Sequence, residues 1–174
     1  MNNTTLITAL SVIIASAFPT LATIIAFILN PNNAVRLTRK EDEYKAMDWT
    51  CGSLFYIIAN PAEINNRKGA RMFNKVQRNI FLYGTNNEKT VMSYAKPKIF
   101  LAKKNPQAFD KYFVISVFCL LLNVIHHETY KKKIVTDYVL KTTVNDYDEN
   151  GGNIVSEYNN IVSELKFNKK YLIR

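Results

Sequence analysis

The chain has 174 residues and a formal net charge of +9 at pH 7, with five glycines and two cysteines. The cysteines, Cys51 and Cys119, lack Cys-x-x-Cys spacing, so we expect reduced, buried thiols. Neither a Gly-rich phosphate loop nor a nucleophile elbow occurs, and no acid and base groups stand out at a useful spacing. We therefore expect a protein that is not an enzyme and needs no cofactor.

The stretch from Leu6 to Leu29 contains no charged residue over its 24 positions. At the rise of an α-helix it would extend about 36 Å, which is enough to cross the hydrocarbon core of a bilayer with some tilt. We predict that residues 1–30 form an N-terminal transmembrane anchor, consisting of one helix.

Three alternatives remain open for this stretch. A cleaved signal peptide predicts basic residues before a short apolar core, whereas residues 1–5 contain no Lys or Arg and the apolar run is longer. A hairpin at Pro19 and a buried core helix of a soluble domain are the other two.

The residues that flank the apolar stretch predict its orientation. No basic side chain precedes it, whereas Arg36, Arg39 and Lys40 follow it closely. The positive-inside rule then places the N-terminus outside and the remaining chain in the cytoplasm. The abundance of Asn, Lys and Ile indicates an AT-rich bacterial or phage genome. We expect a single-pass protein of a bacterial cell membrane, with a basic juxtamembrane stalk at residues 31–46 and a cytosolic helical domain at residues 47–174.

All 23 Lys and Arg and all 14 Asp and Glu follow the apolar stretch, so the net charge belongs to the cytosolic part. An excess of positive charge favours contact with anionic lipid headgroups or with nucleic acid, and salt weakens both contacts. A solvated surface that binds neither remains the alternative.

The first helix of the cytosolic part is predicted at residues 44–59. Asn30-Pro31-Asn32-Asn33 is a turn cluster that ends the membrane span before it, and Asn60-Pro61 ends the helix itself. Trp49 could lie at the level of the lipid headgroups. The expected core contacts of this helix are Met47, Leu54, Phe55 and Ile58.

Residues 67–83 predict a basic amphipathic helix. At 100° per residue one narrow stripe carries only cations, and the opposite side carries apolar side chains. The stripe would contact the inner leaflet or a nucleic-acid backbone, or it would be an ordinary solvated face. The stripe consists of Arg67, Arg71, Lys75 and Arg78, and the apolar side of Met72, Phe73, Val76, Ile80 and Tyr83.

A sharp turn is predicted between this helix and the next. Gly84 is placed to adopt the left-handed conformation that ends a helix, and Thr85-Asn86-Asn87-Glu88 has the spacing of a capping box. The anchor, the stalk and Leu82-Tyr83-Gly84-Thr85 followed by Glu88-x-x-Val91 resemble small single-pass membrane proteins of Gram-positive bacteria and their mobile elements. Their comparable segment reads Leu-Tyr-Gly-Ser followed by acidic residues and Val. The resemblance implies an anchor with a cytosolic helical domain, and no catalytic residue.

The helix that the capping box opens should end near Ala95, because Pro97 disfavours helical geometry before it. A basic connector then surrounds the apolar residues 99–101, which could enter the core or form a shallow membrane wedge. Asn105 should cap a helix that begins at Pro106 and continues to about Tyr130. Its apolar centre, residues 114–122, is shorter than the ~20 residues that cross a bilayer, so we expect a core helix. A tilted, reentrant segment is the alternative.

His126, His127 and Glu128 lie at the end of this helix but do not predict a metal site. Adjacent residues on a helix point about 100° apart, and no further ligand is apparent nearby. Near a helix C-terminus, histidines can also stabilise the helix dipole.

Two more helices are expected, at residues 134–144 and 153–167, on either side of an acidic, Gly-rich loop at residues 146–152. The loop lacks the ligand pattern of a calcium site. The apolar side of the first helix would be Ile134, Val135, Tyr138 and Val139, and that of the second Ile154, Tyr158, Ile161, Val162 and Leu165.

Together these patterns predict an all-α protein with one transmembrane helix and a bundle of five or six helices. Our first hypothesis is a non-enzymatic interaction protein whose basic helix faces anionic membrane lipid, a protein partner or a second copy of the chain. The alternative is a nucleic-acid binder tethered to the membrane, such as a phage-exclusion factor active in abortive infection.

Overall fold

The computed structural model describes residues 19, 21–26, 31–105, 107, 109–132, 134 and 136–173. Within these residues all regular secondary structure is helical, which confirms the predicted all-α class. Most of the expected membrane span at residues 6–29 lies outside the described residues. Its described part, Pro19 and residues 21–26, is helical and exposed.

After residue 30, the described residues form six α-helices and two short 3-10 helices. The α-helices are α1 (Pro31–Ala59), α2 (Arg67–Tyr83), α3 (Asn86–Lys104), α4 (Lys111–Glu128), α5 (Thr136–Thr143) and α6 (Tyr147–Glu164). The 3-10 helices are η1 (Pro61–Asn65) and η2 (Lys169–Tyr171). The contacts of the chain divide it into two compact units, Met1–Tyr44 and Lys45–Arg174.

The unit Lys45–Arg174 is a helical bundle built around α4. Every residue of α4 from Phe113 to Ile125 is buried, so this helix has neighbours on all sides. Helices α3, α5 and α6 and both 3-10 helices pack against it. Among the described residues α4 alone is long and apolar enough to cross a membrane, and most of it is buried inside the bundle. The expectation of a core helix therefore agrees with its burial.

Two polar side chains of α4 are buried and hydrogen-bonded to α6. The Ser116 hydroxyl donates to the Ile154 carbonyl oxygen at 2.9 Å, and the Asn123 amide donates to the Tyr158 hydroxyl at 2.9 Å. Because a buried polar group without a partner costs free energy, these bonds select one register of α6 on α4.

The predicted turn at residues 30–33 is wrong in its described part, since α1 begins at Pro31. Proline is tolerated at the first helical position because the N–H that it lacks would have no partner within the helix. Of the predicted core contacts Met47, Leu54 and Ile58 are buried, whereas Phe55 is 37% exposed and Ile57 is buried in its place.

Helix α3 does not end near Ala95 but continues through Pro97 to Lys104. Proline removes one hydrogen bond, which the Ser93 carbonyl oxygen would otherwise accept. Ser93 and Pro97 are both exposed, so water can hydrate that oxygen and the cost is small. Ile99 enters the core from this continuation, whereas Phe100 and Leu101 are 45% and 61% exposed.

Three further expectations are corrected in the second half of the chain. Helix α4 begins at Lys111 rather than Pro106, because Asp110 and not Asn105 caps it, accepting bonds from the N–H groups of Tyr112 and Phe113. Tyr138 of α5 is 67% exposed, and Leu140 is buried instead.

The predicted acidic loop at residues 146–152 is helical from Tyr147 onward, where α6 begins, and Asp146 is the N-cap residue. Gly151 is buried against the ring of Tyr147, whose hydroxyl donates to Asp137 at 2.6 Å. Asp146 forms a 2.8 Å ion pair with Lys111. These contacts with other helices order a segment whose composition is typical of a loop.

Gly69 should be sensitive to substitution, because a Cβ atom there would lie 2.1 Å from the backbone oxygen of Glu63 in η1. We expect Gly69→Ala to lower the free energy of unfolding by roughly 1–3 kcal/mol, since backbone atoms cannot move aside easily. Urea unfolding of the full chain, followed by the fluorescence of its one tryptophan, measures this.

The matched control is Gly52→Ala, also within a helix, where nothing lies within 4 Å of the added Cβ. Alanine should stabilise α1 there by about 0.5–1 kcal/mol, because glycine loses more backbone entropy in a helix. Equal effects of the two substitutions would contradict the packing of α2 on η1.

Candidate anion-binding face

Helix α2 has the bounds that the sequence predicted, Arg67–Tyr83. Asn66 caps its first turn, since the Gly69 N–H donates to the Asn66 Oδ1 at 2.8 Å. Phe73, Val76 and Ile80 are buried, and the four cations of the predicted stripe are all exposed. We refer to Arg67, Arg71, Lys75 and Arg78 as the basic face.

A buried amide sets the rotation of α2 about its own axis. The Asn79 Nδ2 donates to the Ala46 carbonyl oxygen at 3.0 Å and to the Thr50 hydroxyl at 3.0 Å, both on α1. The ring of Phe73 also contacts Phe118 of α4 edge-on, with 6.0 Å between the ring centres. Rotation of α2 would break these contacts, so the bundle holds the basic face toward solvent.

Lys75 differs from the three arginines because its ammonium group lies over the ring of Trp49, 3.9 Å from the ring centre. This is a cation–π interaction, which stabilises a partly exposed pair by roughly 0.5–1 kcal/mol. The half-buried Trp49 packs against the core from α1. The sequence did not indicate this pair, because nothing local relates positions that lie 26 residues apart.

Within the residues that the structure describes, no acidic side chain forms an ion pair with an arginine of the basic face. In the described part of the chain, the ion pairs Lys111–Asp146 and Lys141–Asp137 lie on α4, α5 and the turn before α6, and none includes Arg67, Arg71 or Arg78. Unpaired guanidinium groups remain available for an external anion, and their planar fork matches phosphate oxygens.

The corner between α2 and α3 is held by the predicted capping box. The Thr85 N–H donates to the Glu88 Oε2 at 3.1 Å, and the Glu88 N–H donates to the Thr85 hydroxyl at 3.4 Å. Gly84 is extended, with φ −72° and ψ 154°, so the expected left-handed conformation is wrong. Glycine is needed for space instead, because a Cβ atom would lie 2.5 Å from the Ile80 carbonyl oxygen.

Two carboxylates lie at this corner, and their pKa values are shifted in opposite directions. Glu88 is fully buried, and burial raises its pKa although the Thr129 hydroxyl donates to it at 2.9 Å. Burial also opposes ionisation of Glu128, but hydrogen bonds from Thr85, Asn87 and Tyr171 outweigh this effect and lower its pKa. The Thr85 hydroxyl donates to the Glu128 Oε2 at 2.6 Å and thereby joins α3 to the end of α4.

These bonds explain the local motif that the sequence singled out. Thr85 and Asn87 both donate to Glu128, which lies 43 and 41 residues further along the chain. The capping box could be recognised from its spacing, whereas its long-range partner could not. Through Thr85, the Leu-Tyr-Gly-Thr turn therefore links the start of α3 to the end of α4.

The described residues contain no group of three His, Cys, Asp or Glu side chains that could hold a metal ion. His126 lies beside Tyr130 with 5.4 Å between ring centres, and His127 lies beside Tyr171 at 5.6 Å. Burial lowers the pKa of His126, helped by the charge of Lys132. The histidines thus pack against aromatic rings.

Both cysteines are buried and free, as expected. Burial raises the pKa of Cys51 and of Cys119 to about 12, so neither forms a thiolate near neutral pH. A thiol in this state is a poor nucleophile.

Comparisons with protein-family models, with curated proteins and with solved structures found no match to this chain. The resemblance drawn from residues 82–91 therefore stays a prediction.

Glu128→Gln should destabilise the bundle at pH 7 by about 1–2 kcal/mol, because three hydrogen bonds to a partly exposed charged acceptor are weakened. A lowered pKa contributes stability that is complete above the unfolded value of 4.5 and is lost as the pH falls through the folded value. The difference between the wild type and the variant should therefore shrink below pH 4.5, in urea unfolding measured across a pH series.

Glu149→Gln is the control, since Glu149 is exposed on α6. Its effect should stay within about 0.5 kcal/mol. A Glu128→Gln variant as stable as this control at pH 7 would show that the joint contributes little.

Proposed function

We propose that this protein is a non-enzymatic, membrane-anchored interaction protein of a bacterial cell membrane, whose helical domain contacts anionic lipid at the cytoplasmic surface. The observation that carries the proposal is the basic face, four exposed cations on one side of a helix whose other side buries Phe73, Val76 and Ile80. The uncharged residues 6–29 support the anchor, and the basic residues that follow them support the cytoplasmic orientation.

The end of α2 favours a lipid surface over a soluble anion. Phe81 is 75% exposed and Leu82 is 49% exposed, next to Arg78. Cations beside exposed apolar side chains are typical of helices that lie at a membrane interface. Each cation close to an anionic surface contributes roughly 1 kcal/mol, so four of them give useful affinity to a domain that is already tethered.

The groups that could perform chemistry support a role without catalysis. Glu88 and Glu128 are engaged in the joint between α3 and α4, and both thiols are protonated near neutral pH. The alternative of a tethered nucleic-acid binder would use the same cations, and it is tested together with lipid binding below.

The proposed orientation predicts the accessibility of the two ends of the chain. With an epitope tag at either terminus, protease added to intact bacterial cells should remove the N-terminal tag and leave the C-terminal tag. Both tags should be removed after lysis, as seen by immunoblot. Loss of the C-terminal tag from intact cells would overturn the proposed location of the domain.

Contact of the basic face with lipid predicts a change near Trp49, the only tryptophan. Brominated phosphatidylglycerol in vesicles should quench the fluorescence of the reconstituted full chain more strongly than brominated phosphatidylcholine. Arg67→Glu with Arg71→Glu should remove this difference and leave Lys75 and Trp49 in contact. Added salt should reduce the difference in the wild type, because it screens exposed charges beyond about 10 Å at 0.1 M.

The matched control is Lys132→Glu with Lys169→Glu, which makes the same change of charge at exposed positions outside α2. Quenching should then remain as in the wild type. If both double variants behave alike, net charge rather than the basic face determines the contact. The nucleic-acid alternative would be favoured if an oligothymidylate protected the Trp49 fluorescence from quenching, and if brominated phosphatidylglycerol quenched it no more strongly than brominated phosphatidylcholine.

A further inference from the structure

A groove lies between α2 and α3, and Arg78 is the one residue of the basic face that lines it. The groove has a volume of about 570 Å³, within the range of roughly 300–1,000 Å³ that holds a drug-sized molecule. Helix α3 contributes Lys89, Met92, Ser93 and Lys96, whose spacing places them along one side of the helix. We call this cavity the α2–α3 groove.

Three cations and no acid line the α2–α3 groove. Arg78 comes from α2, and Lys89 and Lys96 come from α3. Arg78 and Lys96 are exposed and Lys89 is half-buried. Cations from both helices, with no acid in this lining, make the groove complementary to an anion.

Apolar side chains line the groove together with these cations. Ile80 and Met92 are buried, and Phe81 is 75% exposed at the end of α2. Methionine adapts its shape to an irregular apolar ligand. An occupant that combines an anionic group with an aliphatic chain would therefore find partners for both parts.

We propose that the α2–α3 groove binds one anionic phospholipid, with its phosphate held by Arg78, Lys89 and Lys96 and the first carbons of an acyl chain against Met92 and Phe81. This inference rests on the proposed contact of the domain with anionic lipid, and it adds a specific site to a general electrostatic attraction.

The size and lining of the groove favour this occupant over two others. Inorganic phosphate would fill a small part of the volume and leave the apolar side chains unused. A nucleic-acid strand is bound by successive aromatic platforms on which bases stack. The groove offers one aromatic ring, Phe81, beside aliphatic side chains.

Native mass spectrometry of the full chain, released from a non-ionic detergent, can count the bound lipids. With added phosphatidylglycerol we expect one molecule to bind at least about tenfold more tightly than phosphatidylcholine, since a charge-assisted hydrogen bond contributes on the order of a factor of ten. Lys89→Gln with Lys96→Gln should reduce this affinity about tenfold or more.

The control is Arg67→Gln with Arg71→Gln, which removes the same charge from the basic face outside the groove. This variant should bind the single phosphatidylglycerol as the wild type does, yet lose the lipid-dependent quenching of Trp49. The groove variant should show the opposite pattern. Circular dichroism of both variants checks that substitutions at these exposed and half-buried positions leave the helical fold intact.

Each contrary outcome would overturn the inference. If the groove variant binds phosphatidylglycerol as the wild type does and Trp49 is still quenched, the groove is not the lipid site, although the proposed contact of the domain with lipid still holds. If the wild type shows neither preferential binding of one phosphatidylglycerol nor lipid-dependent quenching of Trp49, the proposed contact of the domain with lipid is wrong as well. Displacement of the lipid by inorganic phosphate at similar concentration, or by an oligothymidylate, would show that phosphate alone or nucleic acid is the ligand.

Discussion

The burial of α4 on every side is the constraint on which the bundle depends. Residues from Phe113 to Ile125 have no solvent-facing side, so α4 is stable only when other helices surround it. Each fully buried large apolar side chain contributes about 1.5–3 kcal/mol, and this row supplies many of them. Ser116 and Asn123 within the row bond to α6, which restricts the packing to one register.

The polar joint at the end of α4 connects this core to the candidate surface. Glu128 accepts bonds from Thr85 and Asn87, which lie at the start of α3, directly after the corner that ends α2. Asn79 ties α2 to α1. The cations of the basic face and of the α2–α3 groove therefore project from helices whose backbones these contacts hold in place, so binding of an anion has to order the side chains but not the helices.

Local patterns predicted α2 and the capping box because their determinants lie within a few residues. The 3.6-residue period gave both the bounds of α2 and its exposed cations, and Thr85 and Glu88 are three positions apart. Where local signals opposed packing, they were misleading. Helix α3 tolerates Pro97 because Ser93, whose carbonyl oxygen loses its hydrogen bond, is exposed to water. Residues 147–152 are helical because Tyr147 and Asp146 bond to other helices.

The sequence by itself determined the all-α class, the excess of positive charge after residue 30 and the basic face, because composition and periodicity carry this information directly. Only the tertiary structure decided that Trp49 lies under Lys75, that Glu128 closes the corner at Thr85, and that Lys89 and Lys96 join Arg78 in one groove. These relations depend on how helices far apart in the chain pack together, and packing is settled by the shared burial around α4 rather than by any local pattern.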